Sequence, residues 1–335
     1  MQIGDWDSNH DVLIIAEIGN NHEGSYTLAE EMIGLAAKTG ADAVKFQTII
    51  PEKLVSCRET ERMEQLRKFQ LTYQEYQKLA KVAAQESVLF LSTPFDIESA
   101  KFLDDLVPIF KISSGDNNFY PLIEVIARTG KPIFLSTGFM EIEEIRKSAH
   151  FVRGFWNENS IEQELALLHC VSLYPTPPTQ ANLRAIEKLR GIVPTVGYSD
   201  HTLGIDAAVL SVALGARIIE KHFTLNKDYS DFRDHSLSAD PKEMKELVDK
   251  IRCANRYLGN RKTNERNVEK TIIRESRRSI VSSRDLIVGD EINLNDLDWV
   301  RPGGGLSPGS EGKLLGKRLI KNIKKGEIIY LEDVN

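Results

Sequence analysis

Two short stretches each deliver a histidine where an apolar run ends. Gly197-Tyr198-Ser199-Asp200-His201 follows the run at 193–196, and Glu220-Lys221-His222-Phe223 follows the run at 217–219. Residues 205–214 between them read as a helix, so the unit is strand–helix–strand with its strands parallel. Histidines at the carboxyl ends of neighbouring parallel strands point toward one small volume. Neutral imidazoles there make half of a metal site, with positions open to a substrate. One such histidine alone reads as an ordinary polar residue at a strand end; the pair, preceded by Ser-Asp and Glu-Lys, points to a site.

Lys45 and Lys111 lie inside other apolar runs, where an ammonium is costly to bury without an anionic partner. Strand-end hydroxyls (Ser92, Thr93, Ser114, Ser136, Thr137, Ser199) accompany them. Fixed positive charge with short hydrogen-bond donors suits a phosphate or phospho-carboxylate. The blander reading of each lysine is a salt bridge to a neighbour such as Glu17, and of each hydroxyl a turn former.

The elements that must position these residues repeat. Apolar runs at 12–18, 43–47, 89–93, 109–113, 132–137, 165–170, 195–200 and 217–223 alternate with amphipathic helical segments. Each run is continuously apolar rather than alternating, as for parallel strands covered on both faces. Eight βα units over about 260 residues predict a closed (β/α)8 TIM barrel, whose active sites lie at the carboxyl ends of the strands. An open doubly wound sheet is the alternative, but no Gly-x-Gly-x-x-Gly turn follows the first strand. The connection at 48–72 is long and charged and reads as a lid or binding loop, or else a solvated helical excursion. The barrel is expected over 1–258, a basic linker over 259–275, and a small β-rich domain over 276–335, with β-like runs at 278–281, 286–287, 299–300 and 328–331. So small a domain is marginal alone and predicts docking on a barrel, its own or a partner's.

Bulk properties exclude other classes. A formal charge of -6 argues against nucleic-acid binding, and 41% hydrophobic with 27% charged residues is ordinary for a globular protein. Three scattered cysteines (Cys57, Cys170, Cys253) imply a reducing compartment without a disulfide framework. The first apolar run is too short to span a membrane and lacks signal-peptide flanks, so a cytoplasmic protein without membrane or nucleic-acid partners is expected.

Read in series, the motifs resemble those of the sialic acid synthase family, the bacterial nonulosonate synthases. The resemblance rests on Ile15-Ala16-Glu17-Ile18-Gly19-Asn20-Asn21-His22-Glu23-Gly24, Val44-Lys45-Phe46-Gln47, Ser92-Thr93-Pro94-Phe95, Lys111-Ile112-Ser113-Ser114-Gly115 and Leu135-Ser136-Thr137-Gly138. Leu168-His169-Cys170, Tyr174-Pro175-Thr176-Pro177 and the two histidine stretches continue it, and Arg301-Pro302-Gly303 resembles a segment of the family's C-terminal antifreeze-like (SAF) domain.

That resemblance implies condensation of phosphoenolpyruvate with an open-chain N-acyl amino sugar of the N-acetylmannosamine type. The products are a nine-carbon 2-keto sugar acid and phosphate, with C–O cleavage. It places phosphoenolpyruvate on Lys45, Thr93, Lys111, Ser114, Ser136, Ser172 and Ser199, and the sugar on Gln47, Asp116, Tyr174, Asp234 and Arg301. It implies that the last of these arrives from the other subunit of a domain-swapped homodimer. It also implies a divalent metal on His201 and His222, manganese with magnesium or cobalt as alternatives; two imidazoles alone suit zinc or iron equally. On that reading the catalytic carboxylates are Glu17, placed to steer or deprotonate the water that adds or to stabilise the cation, and Glu220, a second candidate for proton handling near the metal.

Asp116 and Ser172 stand where the pattern has glutamate and asparagine, and the segment Tyr229-Ser230-Asp231-Phe232-Arg233-Asp234 is one residue longer than its counterpart, leaving Asp231 as an alternative to Asp234. These departures cluster around the sugar, so a legionaminic- or pseudaminic-type acceptor is a second reading. Synthases of 2-keto-3-deoxy sugar phosphates and a non-catalytic carbohydrate-binding protein are more distant ones.

Overall fold

The computed structural model describes residues 1–259, 269 and 272–335. The chain divides into two compact units, Met1–Asn260 and Arg261–Asn335.

The first unit opens with a hairpin of β1 (Gln2–Ile3) and β2 (Trp6–Asp7). Eight parallel strands follow: β3 (Leu13–Gly19), β4 (Ala43–Thr48), β5 (Leu89–Pro94), β6 (Phe110–Ile112), β7 (Ile133–Ser136), β8 (Leu165–Cys170), β9 (Thr195–Asp200) and β10 (Ile218–His222). The ladder runs β5-β4-β3-β10-β9-β8-β7-β6, and its two ends pack side by side to close the barrel. All eight expected runs are strands, with no end moved by more than one residue.

Strand alternation explains how one barrel is apolar below and polar above. The lower inward positions are apolar: Leu13 and Ile15 on β3, Ala43 on β4, Leu91 on β5, Phe134 on β7, Ala166 and Leu168 on β8, Ile218 on β10. Met1, Ile3 and Trp6 of the hairpin pack onto this layer and plug the floor. Continuing the same parity upward gives Glu17, Lys45, Thr93, Ser136, Cys170 and Glu220, all lining a cavity. Outward positions such as Ile14, Val44, Phe90 and Val196 join the helices in the larger core.

Local signals place the helices. Ser25 caps α1 (Tyr26–Lys38) by accepting from the Leu28 amide, and Asp240 caps α11 (Pro241–Leu258), where proline occupies the first turn. The 48–72 connection holds α2 (Pro51–Leu54) and α3 (Thr60–Phe69), and a capping box of Thr72 with Glu75 starts α4 (Tyr73–Gln85). It is therefore a helical excursion, anchored by buried Met63, Leu66 and Phe69. Its end lies so close to the β3 loop that a Cβ on Gly24 (φ +82) would fall 1.9 Å from the Lys68 carbonyl oxygen. α5 (Ile97–Leu103), α6 (Tyr120–Arg128), α7 (Ile142–Glu158), α8 (Ala185–Leu189), α9 (Asp206–Ala213) and α10 (Arg233–Leu237) complete the unit.

In the second unit α12 (Ile273–Ser276) precedes an antiparallel pair, β11 (Ser279–Ser282) and β12 (Leu297–Val300). The expected strands at 286–287 and 328–331 are not ladders. They supply the single bridges Leu286↔Ile323 and Val281↔Ile328, and Leu331–Asp333 turns as a 3-10 helix. Turns at Gly289 and Gly326, both at positive φ, bend the chain before a ladder can extend. Ile280, Leu286, Ile292, Leu314 and Ile329 still reach one core. Most of the expected linker at 259–275 lies outside the described residues; its described end carries the α12 turn. Among the described residues no helix is long and apolar enough to cross a membrane.

Candidate active site

One cavity at the carboxyl ends of the strands is lined by Glu17, Lys45, Gln47, Thr93, Lys111, Ser114, Ser136, Tyr174, Ser199, His201, Glu220 and His222. Twelve of the sixteen residues given a catalytic, substrate or metal role by the resemblance thus meet in one place; Ser92 and Thr137 do not line it. Phe95, Ser113 and Cys170 line it too and were not foreseen. The inward parity of Cys170 on β8 was the available signal.

Charges alternate across the cavity. Lys45 Nζ lies 2.7 Å from Glu17 Oε2 and 3.7 Å from Glu220 Oε2, and it donates to Thr93 Oγ1 at 3.0 Å. Lys111 Nζ lies 3.8 Å from Glu220 Oε1 and donates to Ser136 Oγ at 2.7 Å. Ser199 Oγ donates to Glu220 Oε1 at 2.8 Å. The two lysines therefore both neutralise carboxylates and aim at the same space.

Burial divides the carboxylates. It pushes the Glu17 carboxyl up to about 7 against the pull of Lys45, while Glu220 repels it further. Burial acts on Glu220 as well, but Lys111 and Lys45 together, with the Ser199 hydroxyl, hold it well below the usual carboxylate range. Lys45 is the nearer neighbour of Glu17, so proximity alone would favour the opposite order. The second lysine and the hydroxyl decide it: Glu220 has three stabilising partners, so Glu17 is the carboxyl that takes up and gives up a proton more readily. Burial pulls Lys45 down, yet the two carboxylates outweigh it and raise its ammonium; on Lys111 burial prevails and lowers it.

The imidazoles stand with ring centroids 5.4 Å apart. His201 Nδ1 lies 2.9 Å from the Val171 carbonyl oxygen, which fixes the proton on Nδ1 and leaves Nε2 with a free lone pair. His222 Nδ1 is buried with no hydrogen-bond partner among the described residues, and burial, His201 and Lys45 keep the ring neutral. Burial pulls His201 down, but Cys170 and the Val171 carbonyl outweigh it and raise that ring. One ring with a fixed tautomer beside one neutral ring with an orphaned nitrogen fits a divalent cation, which would displace any proton on Nε2. Among the described residues no group of three or more His, Cys, Asp or Glu is arranged to hold a metal ion.

Four expected residues lie elsewhere. Ser172 lines a neighbouring cavity of about 530 Å³, which shares Cys170 with the first. It still approaches Ser114: a Cβ built on Gly138 would lie 2.4 Å from Ser172 Oγ and 2.6 Å from Ser114 Oγ. Asp116 accepts from Ser113 Oγ at 2.7 Å rather than lining the cavity, its shorter side chain satisfied within its own turn. Asp234 is buried beside Arg233, whose guanidinium sits 4.8 Å from the Tyr174 ring centroid; Asp231 is exposed. Arg301 is an exposed residue of the second unit.

Residues 32–263 match the model of the NeuB family, and residues 277–335 match the SAF domain. The chain is 37% identical to the N,N'-diacetyllegionaminic acid synthase of Legionella pneumophila, covering 96% of this chain and 94% of that protein. It is 35% identical to the pseudaminic acid synthase of Campylobacter jejuni over 99% of both. A solved N-acetylneuraminic acid synthetase from Leptospira borgpetersenii, in complex with citrate, superposes with a TM-score of 0.76 at 33% identity, covering 82% of this chain and 94% of that one.

Proposed function

The chain belongs to the NeuB family of synthases and is an enzyme of that class, and from this membership we propose that it condenses phosphoenolpyruvate with an open-chain N-acyl amino sugar. The observation that carries the reading is the pair of buried lysines facing two imidazoles across one cavity. Such a site accepts a small polyanion on one side and a carbonyl on the other.

Carbon 3 of phosphoenolpyruvate attacks the aldehyde carbon, forming the C–C bond and leaving cationic character at carbon 2. The former aldehyde oxygen takes a proton to become a hydroxyl, and water adds at carbon 2 and loses a proton. The hydroxyl so formed at carbon 2 then gives up its remaining proton to the departing phosphate as the bond from carbon 2 to the phosphate oxygen breaks, releasing phosphate and the 2-keto acid. Lys45 and Lys111, with Thr93, Ser114, Ser136, Ser172 and Ser199, hold the phosphate and carboxylate and offset charge growing on the leaving group. Glu17 is the group that takes the proton from water. Glu220, held charged, favours the cation at carbon 2. His201 and His222 would hold a divalent metal, manganese by family analogy, which supplies Lewis acidity to the aldehyde oxygen. Gln47, whose Oε1 accepts from Asn20 at 2.8 Å, presents its amide nitrogen toward Glu17 and the sugar. Tyr174 and Asp234, with Arg301 of a second subunit in a domain-swapped dimer, complete the sugar side, and Asp116 reaches it only by leaving Ser113. A cytoplasmic location follows from the substrate.

The test is phosphate release from phosphoenolpyruvate with N-acetylmannosamine, diacetamido hexoses and their phosphates as acceptors, and product masses read alongside. Release that depends on both a divalent cation and a non-phosphorylated N-acyl sugar is expected; none with any acceptor overturns the reading. A legionaminic-type acceptor is the favoured second outcome, because the departures at Asp116 and Ser172 accompany the 37% identity to that synthase.

Gly138→Ala is expected to raise KM for phosphoenolpyruvate about tenfold with the fold intact, since the added methyl forces Ser114 and Ser172 apart. Unchanged KM would remove those hydroxyls from the phosphate side.

A further inference from the structure

The residue before each imidazole belongs to a buried ion pair outside the cavity. Because Ser199, His201, Glu220 and His222 face inward, strand alternation turns Asp200 and Lys221 to the opposite, helix-covered face. They are register partners in the β9–β10 ladder. Lys221 Nζ donates to Asp200 Oδ2 at 3.0 Å and to the Thr202 carbonyl at 2.5 Å. Asp200 Oδ1 accepts from the Tyr198 hydroxyl at 3.1 Å and from the Thr202 amide at 2.8 Å. Their side chains are 1% and 0% exposed, so nothing here is screened by solvent.

A buried ion pair is seldom the most stabilising choice; apolar side chains of similar volume often serve stability as well or better. What this pair supplies is position. Asp200 and Thr202 bracket His201, both are tied to Lys221, and the next residue after Lys221 is His222. One ammonium therefore fixes the spacing of the two strand ends that carry the rings. The His201 ring also has the Val171 carbonyl, whereas His222 Nδ1 has no hydrogen-bond partner among the described residues, which leaves that ring to its neighbours Tyr174 and His201 and to the backbone that carries it. Resting on the metal reading above, we propose that Asp200 and Lys221 are a positioning pair that sets the metal-holding geometry of His201 and His222 from outside the cavity.

Lys221→Met alone strands a buried carboxylate and risks unfolding, so the informative variants are Asp200→Asn with Lys221→Met, which removes both charges, and Lys221→Arg. The measurement is Mn2+ binding to the full chain, read from the free-ion electron paramagnetic resonance signal. Thermal midpoint and metal-free phosphoenolpyruvate binding are measured beside it. The double variant is expected to stay folded, to bind phosphoenolpyruvate within about threefold of wild type, and to bind Mn2+ about 10–100-fold more weakly. Lys221→Arg, whose planar head cannot repeat the contacts to both Asp200 and Thr202, should lose about fivefold or more. A purely structural pair would lower the thermal midpoint and leave Mn2+ affinity alone; folded variants with wild-type affinity overturn the proposal. Wild type and His222→Ala serve as controls: if wild type binds no Mn2+, or His222→Ala binds it equally, the metal reading fails first and the positioning role falls with it.

Discussion

Lys45→Met is expected to lower kcat/KM for phosphoenolpyruvate by about 10³-fold or more while the barrel stays folded. Lys45 is buried, pairs with Glu17 at 2.7 Å, reaches Glu220 at 3.7 Å and donates to Thr93. Its loss removes one of the two fixed charges facing a polyanion. The fold survives because Glu17, already pushed up to about 7 by burial, relieves the unpaired charge by taking a proton. Steady-state kinetics with circular dichroism check this, and a drop under about tenfold would take Lys45 off the phosphoenolpyruvate. The same protein tests the second subunit. Mixed and refolded with Arg301→Ala, itself expected to be nearly inactive, it should recover about a quarter of wild-type activity if the SAF domain swaps. A swapped heterodimer joins one intact barrel to one intact Arg301; an unswapped one joins none.

The sequence carried most of the site because strand parity does. A run such as Leu13 to Gly19 that is apolar except at Glu17, or Ala43 to Thr48 broken by Lys45 and Gln47, marks the level at which a barrel interior becomes polar. That is why residues as distant as Glu17, Lys111 and His222 were legible as one constellation. What escaped notice had no period to read. The β1–β2 hairpin has two-residue strands, too short for alternation, and only tertiary packing shows Met1, Ile3 and Trp6 plugging the floor. Cys170 read as one more apolar residue of β8. Asp116 was placed by its motif, but motif position does not say which way a carboxylate turns, and Ser113 in the same turn takes it. In the small domain, burial is satisfied by single bridges between turns, so β-like composition overstated the strands.

Glu17→Gln is expected to lower kcat by about 10²–10⁴-fold while KM for phosphoenolpyruvate stays within about threefold. Both carboxylates face carbon 2 in the proposed reaction, and their surroundings assign the roles. Glu220 accepts from Ser199 and feels both lysines, which keep it charged through the neutral range; a group so held is a poor proton acceptor but a steady countercharge. Glu17, buried and raised to about 7, exchanges its proton near neutrality. A base must be unprotonated to act, so activity of the wild type should rise with pH through a limb near 7, the value set by burial of Glu17. In Glu17→Gln that limb should be gone, whereas Glu220→Gln should keep it and show its loss chiefly as weaker transition-state stabilisation. Near-full turnover by Glu17→Gln, or an unchanged limb in it, would hand the proton to Glu220 or to the departing phosphate. The phosphate is a real competitor for that proton, because it leaves from the same carbon to which water adds; the variant's pH profile separates the two, since a phosphate acting as base would leave the limb in place.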